Sequence, residues 1–366
     1  MKTLTRLFAT SLLAGSLLSP AVQAKTGELH VYNWSDYITD QALTDFKAQT
    51  QIKLSYDVFD TNEALESKLL AGRSGYDVVV PSNMFLAKQV QAGVFLKLDR
   101  SKLPNWQHLD PKLMQLLQEN DPGNEHAVPY MYGTVIMGYN VDKVKEALGD
   151  QAPVDSWDLI FKKEYASKLA KCGITLLDSP AEIIPIALNY LGLPPNSTNP
   201  ADYEKAKELL LSVRPYIRYF HSSKYMNDIA NGDICVAVGY SGSFYQFGNI
   251  AKDANNGVKV AMRQPKEGAP IWFDMLAIPK DAPNVDEAYQ FIDFLLQPKV
   301  IAPISDKTGY PNPNKEGIGL VKSEIRDNPD LVPTAEGMAH LFPLKPLPAK
   351  AERSRTRIWT TIKSGV

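Results

Sequence analysis

Cysteine and histidine are scarce in this chain, with two and five respectively among 366 residues. The histidines (His30, His108, His126, His221, His340) are scattered, with no HExxH and no close ligand spacing. No transition-metal site is therefore expected, and two cysteines without neighbouring histidines do not make one either. The phosphate-cradling G-x-x-x-x-G-K-[ST] is missing, as is a convincing G-x-G-x-x-G. Gly239-Tyr240-Ser241-Gly242-Ser243 comes near a nucleophile elbow, but Ser243 stands where the last glycine is required, which leaves a turn after a strand. No catalytic residue and no cofactor is expected. Excess charge is lacking too: 39 Lys and Arg against 41 Asp and Glu give a formal charge of −2, a poor match for nucleic acid or anionic lipid. Apolar runs beyond the N-terminus, such as Val135 to Gly138 and Ile183 to Leu188, are of core length only.

What the N-terminus does have is an export signal. Lys2 and Arg6 precede an apolar run from Leu7 to Leu18, then Ser19-Pro20 and Val22-Gln23-Ala24. Small residues at the last and third-last positions place cleavage after Ala24. The run is too short to span a bilayer, which takes roughly 20 apolar residues. The expectation is a free, exported, periplasmic protein whose charge moves from −2 to −4 as two positive residues leave with the signal. The remaining 342 residues (366 minus 24) exceed one comfortable core, so two domains are expected. In an oxidising compartment Cys172 and Cys235 pair as a disulfide on one reading and remain two buried thiols on the other.

Short apolar strands alternate with helical patterns along the chain, the signature of an α/β fold. Strands are expected at 28–34, 52–59, 77–80, 127–140, 173–177, 234–240, 258–262 and 272–279, and helices near 40–49, 63–71, 141–148, 201–213 and 286–296, with one from Phe244. Extended crossovers near residues 135 and 259 imply that the chain leaves one lobe and returns. Two lobes joined by two extended hinge crossings make a clamshell that closes on a ligand. The expected division is 25–135 plus 259–325 for one lobe and 136–258 plus 326–366 for the other; two consecutive domains are the alternative.

Ligands in open α/β sheets bind outside the carboxyl ends of strands. Those positions hold Trp34-Ser35-Asp36-Tyr37, Ser82, Glu182 and Tyr240-Ser241-Gly242-Ser243, with aromatics, hydroxyls and carboxylates but no basic residue. In Ile271-Trp272-Phe273-Asp274-Met275-Leu276 the strand period of two puts Trp272 and Asp274 on one face. A carboxylate inside an apolar run is costly unless it meets a cation or hydrogen-bond donors. An aromatic plane beside a carboxylate suits an alkylammonium ion, worth about 0.5–2 kcal/mol for the ring contact alone. Each residue has a plainer reading. Ser35 and Asp36 can be turn residues. Ser179-Pro180-Ala181-Glu182 fits a capping box, although Pro185 would kink the helix. Trp34, Tyr37, Tyr240 and Tyr310 can be core aromatics, and Asp274 can face solvent at a sheet edge. The binding reading gains because one chemistry recurs at several strand ends.

The segments VYNWSDYI (31–38), FDTNEALESKLLAG (59–72), YDVVVPSN (76–83), PYMYGTVIMGYN (129–140), NGDICVAVGYSGS (231–243), PKEGAPIWFDMLAIP (265–279) and GYPNPN (309–314) resemble the periplasmic spermidine/putrescine-binding proteins of bacterial ABC uptake systems. The resemblance spans essentially the whole chain after the signal. It implies a two-lobed type II periplasmic binding protein, a monomer that hands a polyamine to an inner-membrane ABC permease. It also implies that Trp34, Tyr37, Tyr240, Trp272 and Tyr310 sandwich the methylene chain. Asp36, Glu182 and Asp274 hold the ammonium groups, with Ser35 and Ser82 beside them. Cys172 and Cys235 fall where putrescine-binding relatives have a bonded pair. Putrescine-preferring members carry Asp where Ser243 stands and Phe where Trp272 stands, so spermidine is expected to be preferred over putrescine. Some spermidine binders have a further Asp where Ser179 stands, which leaves room for putrescine. A polyamine-sensing module would share the same pocket, and a secreted amidase or hydrolase would need a nucleophile–base pair that is not found.

Overall fold

The computed structural model describes residues 27–365; the expected signal and its cleavage after Ala24 lie outside the described residues. Among the described residues, ten strands are arranged about one long central strand: β1 (Glu28–Trp34), β2 (Lys53–Phe59), β3 (Val78–Val79), β4 (Ala127–Asn140), β5 (Ile174–Leu176), β6 (Ile217–Phe220), β7 (Val236–Tyr240), β8 (Val260–Arg263), β9 (Ala269–Ala277) and β10 (Leu341–Pro343). Their order is β2-β1-β3-β9-β4-β7-β5-β6, with β10 beside β9 and β8 beside β4. The fold is α/β and two-lobed.

β4 belongs to both lobes. Its residues Ala127 to Thr134 pair antiparallel with β9, while Val135 to Tyr139 pair with β7 and Met137 to Asn140 with β8. All 14 of its residues are buried, as a strand covered on both faces must be. A register shift between Pro129 and Met131 falls where proline has no N–H to give the ladder. By contrast, β1 alternates partly exposed and buried residues along Glu-Leu-His-Val-Tyr-Asn-Trp. The first lobe is closed on one side by the helices Asp40–Thr50 and Val285–Leu295, whose Phe46 and Phe291 rings meet edge to face at 5.0 Å.

β8 pairs with β4 in the second sheet and β9 with β4 in the first, so the change of sheet falls between Arg263 and Ala269. The intervening residues are fastened to the second lobe. The Trp157 indole donates to the Gly268 carbonyl at 2.8 Å, Asn189 donates to the Glu267 carbonyl at 2.6 Å, and Arg263 pairs with buried Asp330 at 2.7 Å. The C-terminal helix Ala349–Ser364 packs against the helices Pro180–Tyr190 and Pro200–Val213 through Ala351, Ile358, Trp359 and Ile362. The disulfide reading of the cysteines holds: Cys172 and Cys235 are bonded with sulfurs 2.12 Å apart, joining the entry of β5 to that of β7.

Candidate ligand-binding site

The middle of β4 brings the two lobes' chemistry together. Gly133 lies opposite Trp272 on β9, and Val135 lies opposite Tyr240 on β7. From there an aromatic series runs between the lobes. Tyr240 meets Trp272 edge-on with centroids 6.1 Å apart, Trp272 meets Tyr310 at 5.1 Å, and Tyr310 meets Tyr37 at 6.0 Å. Each end of the series carries a carboxylate. The Tyr240 hydroxyl donates to Glu182 at 3.3 Å. At the other end Tyr37 stands against Asp274, which accepts a hydrogen bond from the Ser82 hydroxyl at 3.0 Å. Ser243 is buried and lies 3.2 Å from the Tyr310 hydroxyl.

The closeness of these rings depends on two glycines. A methyl group on Gly133 would sit 2.5 Å from the Trp272 ring, and one on Gly242 would sit 2.4 Å from the Tyr310 ring. Only a residue without Cβ admits contacts that short.

Neither carboxylate is paired with a lysine, arginine or histidine among the described residues. Asp274 is 5 % exposed, so the alternative of a solvent-facing sheet edge does not hold. Burial pushes its carboxyl up to about 7, against the opposing pull of Tyr37 and Ser82. Burial likewise pushes Glu182 up to about 7, with Ser179 and Tyr240 acting against it, although part of its surface stays accessible. Both carboxyls are thus buried without a protein cation beside them, which favours their neutral form.

The remaining expected residues are placed differently. Trp34 is partly buried, donates its indole N–H to the Val80 carbonyl at 2.9 Å and packs on Phe59 at 4.5 Å, within the first lobe. Ser35 and Asp36 are exposed on the turn after β1; the Ser35 hydroxyl donates to Asp60 at 2.9 Å, and Asp36 adopts a left-handed φ of 55°. The capping box does not form. Ser179 makes no side-chain bond to the amides of the helix Pro180–Tyr190, and that helix runs on through Pro185.

Several contributors escaped sequence reasoning. Asn62 holds Ser82 through two hydrogen bonds. Tyr130 donates to the Tyr37 carbonyl at 2.6 Å, and Tyr225 accepts from the Tyr240 amide at 3.1 Å. All three act on groups far away in sequence, so no local spacing announces them. Ser241, one of the strand-end residues singled out in the sequence, accepts from the Thr134 amide at 3.3 Å where β4 changes partners. Two cavities, of about 550 Å³ between Phe244 and Asp330 and about 510 Å³ around His108 and Glu316, lie off this cluster. Neither offers unpaired buried carboxylates beside aromatic rings, which is the better mark of a ligand site than volume alone.

Two α/β lobes thus share a strand, with a polar-aromatic seam between them. Residues 41–331 match the family described as Bacterial extracellular solute-binding protein, and the chain belongs to that family: it is a solute-binding protein, not an enzyme. It is 55% identical over 365 residues, the full length of both chains, to the Putrescine-binding periplasmic protein SpuD of Pseudomonas aeruginosa. It is 53% identical, again over the full length of both, to the Putrescine-binding periplasmic protein PotF of Escherichia coli. Among solved structures, the Spermidine/Putrescine ABC Transporter Substrate-Binding Protein PotD of Streptococcus pneumoniae superposes with a TM-score of 0.81. That match has 29% identity and covers 93% of this chain and 99% of that one.

Proposed function

We propose that the protein is a periplasmic receptor for polyamines that delivers its ligand to an inner-membrane ABC permease. The observation that carries this reading is the aromatic series Tyr240–Trp272–Tyr310–Tyr37, ended on one side by Glu182 and on the other by Asp274, both without a protein cation. Ring faces and edges suit a methylene chain, and terminal carboxylates suit the ammonium groups it connects. The relatives' names, which specify putrescine or spermidine with putrescine, support the same ligand class.

Spermidine is proposed as the preferred amine. Ser243 supplies no carboxylate beside Tyr310, and the Trp272 indole extends the wall between the two acidic ends. The relatives named for putrescine alone support binding of the diamine as well. Export with cleavage after Ala24, action as a monomer, and closure of the lobes about β4 and the 264–268 crossing belong to the same proposal. So does a division into 27–134 with 269–325 and 135–263 with 326–365, the last segment crossing back at β10 to pair with β9.

The test is calorimetry on protein unfolded and refolded to strip endogenous ligand, titrated with spermidine, putrescine and arginine. Tight spermidine binding with weaker putrescine and no arginine heat is expected. Equal affinity for both amines would remove the preference, and no heat with either would overturn the polyamine reading.

A further inference from the structure

Ser82 occupies the N-cap of the helix Asn83–Gln91 yet makes no capping hydrogen bond. A serine at that position ordinarily satisfies an orphan helix amide. Its hydroxyl is engaged elsewhere, by two side chains distant in sequence. The directions of these bonds follow from elementary donor counting. The Ser82 backbone N–H can only donate, and it meets one terminal atom of the Asn62 amide at 3.0 Å; that atom must be the oxygen Oδ1. The other terminal atom is therefore Nδ2, a donor only, and it lies 2.8 Å from Ser82 Oγ. Oγ accepts that bond, which leaves its own proton to point at the remaining partner, Asp274 Oδ1, at 3.0 Å.

We infer that Asn62 is a positioning residue for ligand capture, fixing the Ser82 hydroxyl as a donor to Asp274 so that the ionised, acceptor-only form of this carboxylate is favoured for the cation. This rests on the polyamine reading of the site and deepens it. A hydroxyl free to rotate could instead accept a proton from the neutral acid and stabilise the wrong form. The Asn62 N–H takes one of the two acceptor sites of Oγ and turns the hydroxyl with its proton toward Asp274, so that accepting from the neutral acid would leave that proton without a partner among the described residues. Asn62 itself is the first residue of the helix Asn62–Leu70, whose N-cap Thr61 accepts from Ala64 N at 3.1 Å, so the amide is anchored by a rigid element. The titratable groups facing Asp274 are Tyr37, Tyr130 and Tyr310, whose hydroxyls burial keeps neutral through the physiological range. The Asn62–Ser82 pair is thus the device that sets the polarity of the hydrogen bond reaching Asp274 from its own lobe.

A double-mutant cycle tests the relay. Asn62→Ala is expected to weaken spermidine binding roughly three- to tenfold, the worth of one oriented hydrogen bond, and to shift the pH midpoint of binding upward. In the Ser82→Ala background the same change is expected to alter affinity less than about twofold, because the relay is already broken. Equal losses in both backgrounds, or an unmoved midpoint, would overturn the inference and leave Asn62 a structural residue. An NMR titration of the Asp274 carboxyl in ligand-free protein separates this outcome from failure of the polyamine reading. An upward shift of that titration in Asn62→Ala, absent in the Ser82→Ala background, supports the relay whatever the ligand. No shift rejects it, even if polyamines bind.

Discussion

The acidic residues read as ligand contacts in the sequence occupy unequal positions in the protein. Asp274 is buried at one end of the ring series, held by Ser82 and facing Tyr37. Asp36 stands exposed on the turn after β1. An ion pair formed in water is worth at most about 1 kcal/mol, whereas removing one partner of a desolvated, hydrogen-bonded charge pair costs about 2–5 kcal/mol. Asp274→Asn is therefore expected to weaken spermidine binding roughly thirtyfold or more, and Asp36→Asn less than about fivefold, measured by calorimetry under one set of conditions. Equal losses would mean that Asp36 is drawn into the seam by the ligand. The burial of Asp274 was legible in its strand context, because the apolar residues on both sides of it, from Ile271 to Leu276, carry the strand into the core and the carboxylate with it. The exposure of Ser35 and Asp36 was not, since a strand-end turn reads the same whether it meets ligand or water. Asn62 lay wholly outside sequence reach, because its partner is 20 residues away on another element.

Elements with strong periodicity were the legible ones. β1, β4 and the helix Val141–Leu148 fall at their expected bounds, as alternating or continuously apolar patterns allow. The helix Pro298–Thr308 was hidden by Pro303 inside it, and β6 and β10, of four and three residues, are too short to carry a pattern. The C-terminal helix buries Ala351, Arg355, Ile358, Trp359 and Ile362 on one stripe, but the charges between them mask it. Nor does periodicity reveal the backbone approach at the head of the helix Ser241–Asp253, where Gly242 admits the Tyr310 ring. Gly242→Ala is expected to displace Tyr310 and weaken polyamine binding about tenfold or more, in line with the cost of overpacking a filled site. Gly319, with nothing within 4 Å of an added methyl and no left-handed φ, is the control, and Gly319→Ala should bind as the parent does. Matching affinities for the two variants would show that Tyr310 is not needed where it stands.

At the scale of the molecule, capture of a cation in the seam is expected to be coupled to protons. Asp274 and Glu182 titrate near 7 in the folded protein, above their ordinary values in an unfolded chain. The folded state therefore holds protons that the unfolded chain has lost. The associated stability is fully present below about pH 4 and fades as pH rises through about 7. A cation between the lobes lowers both values, so binding at pH 7 should release about one proton, half from each group. Spermidine affinity is accordingly expected to fall as pH drops from 8 to 6, and binding heats should differ between buffers of unlike ionisation enthalpy. Identical heats would show that the carboxylates are already ionised before the ligand arrives. The seam itself hangs on β4, which serves both sheets along 14 buried residues. Side chains alternate along a strand, so one residue inserted or lost near Thr134 would invert a whole lobe relative to the other. The length of this strand therefore sets the span between the two lobes, as a shared beam sets the span between two walls.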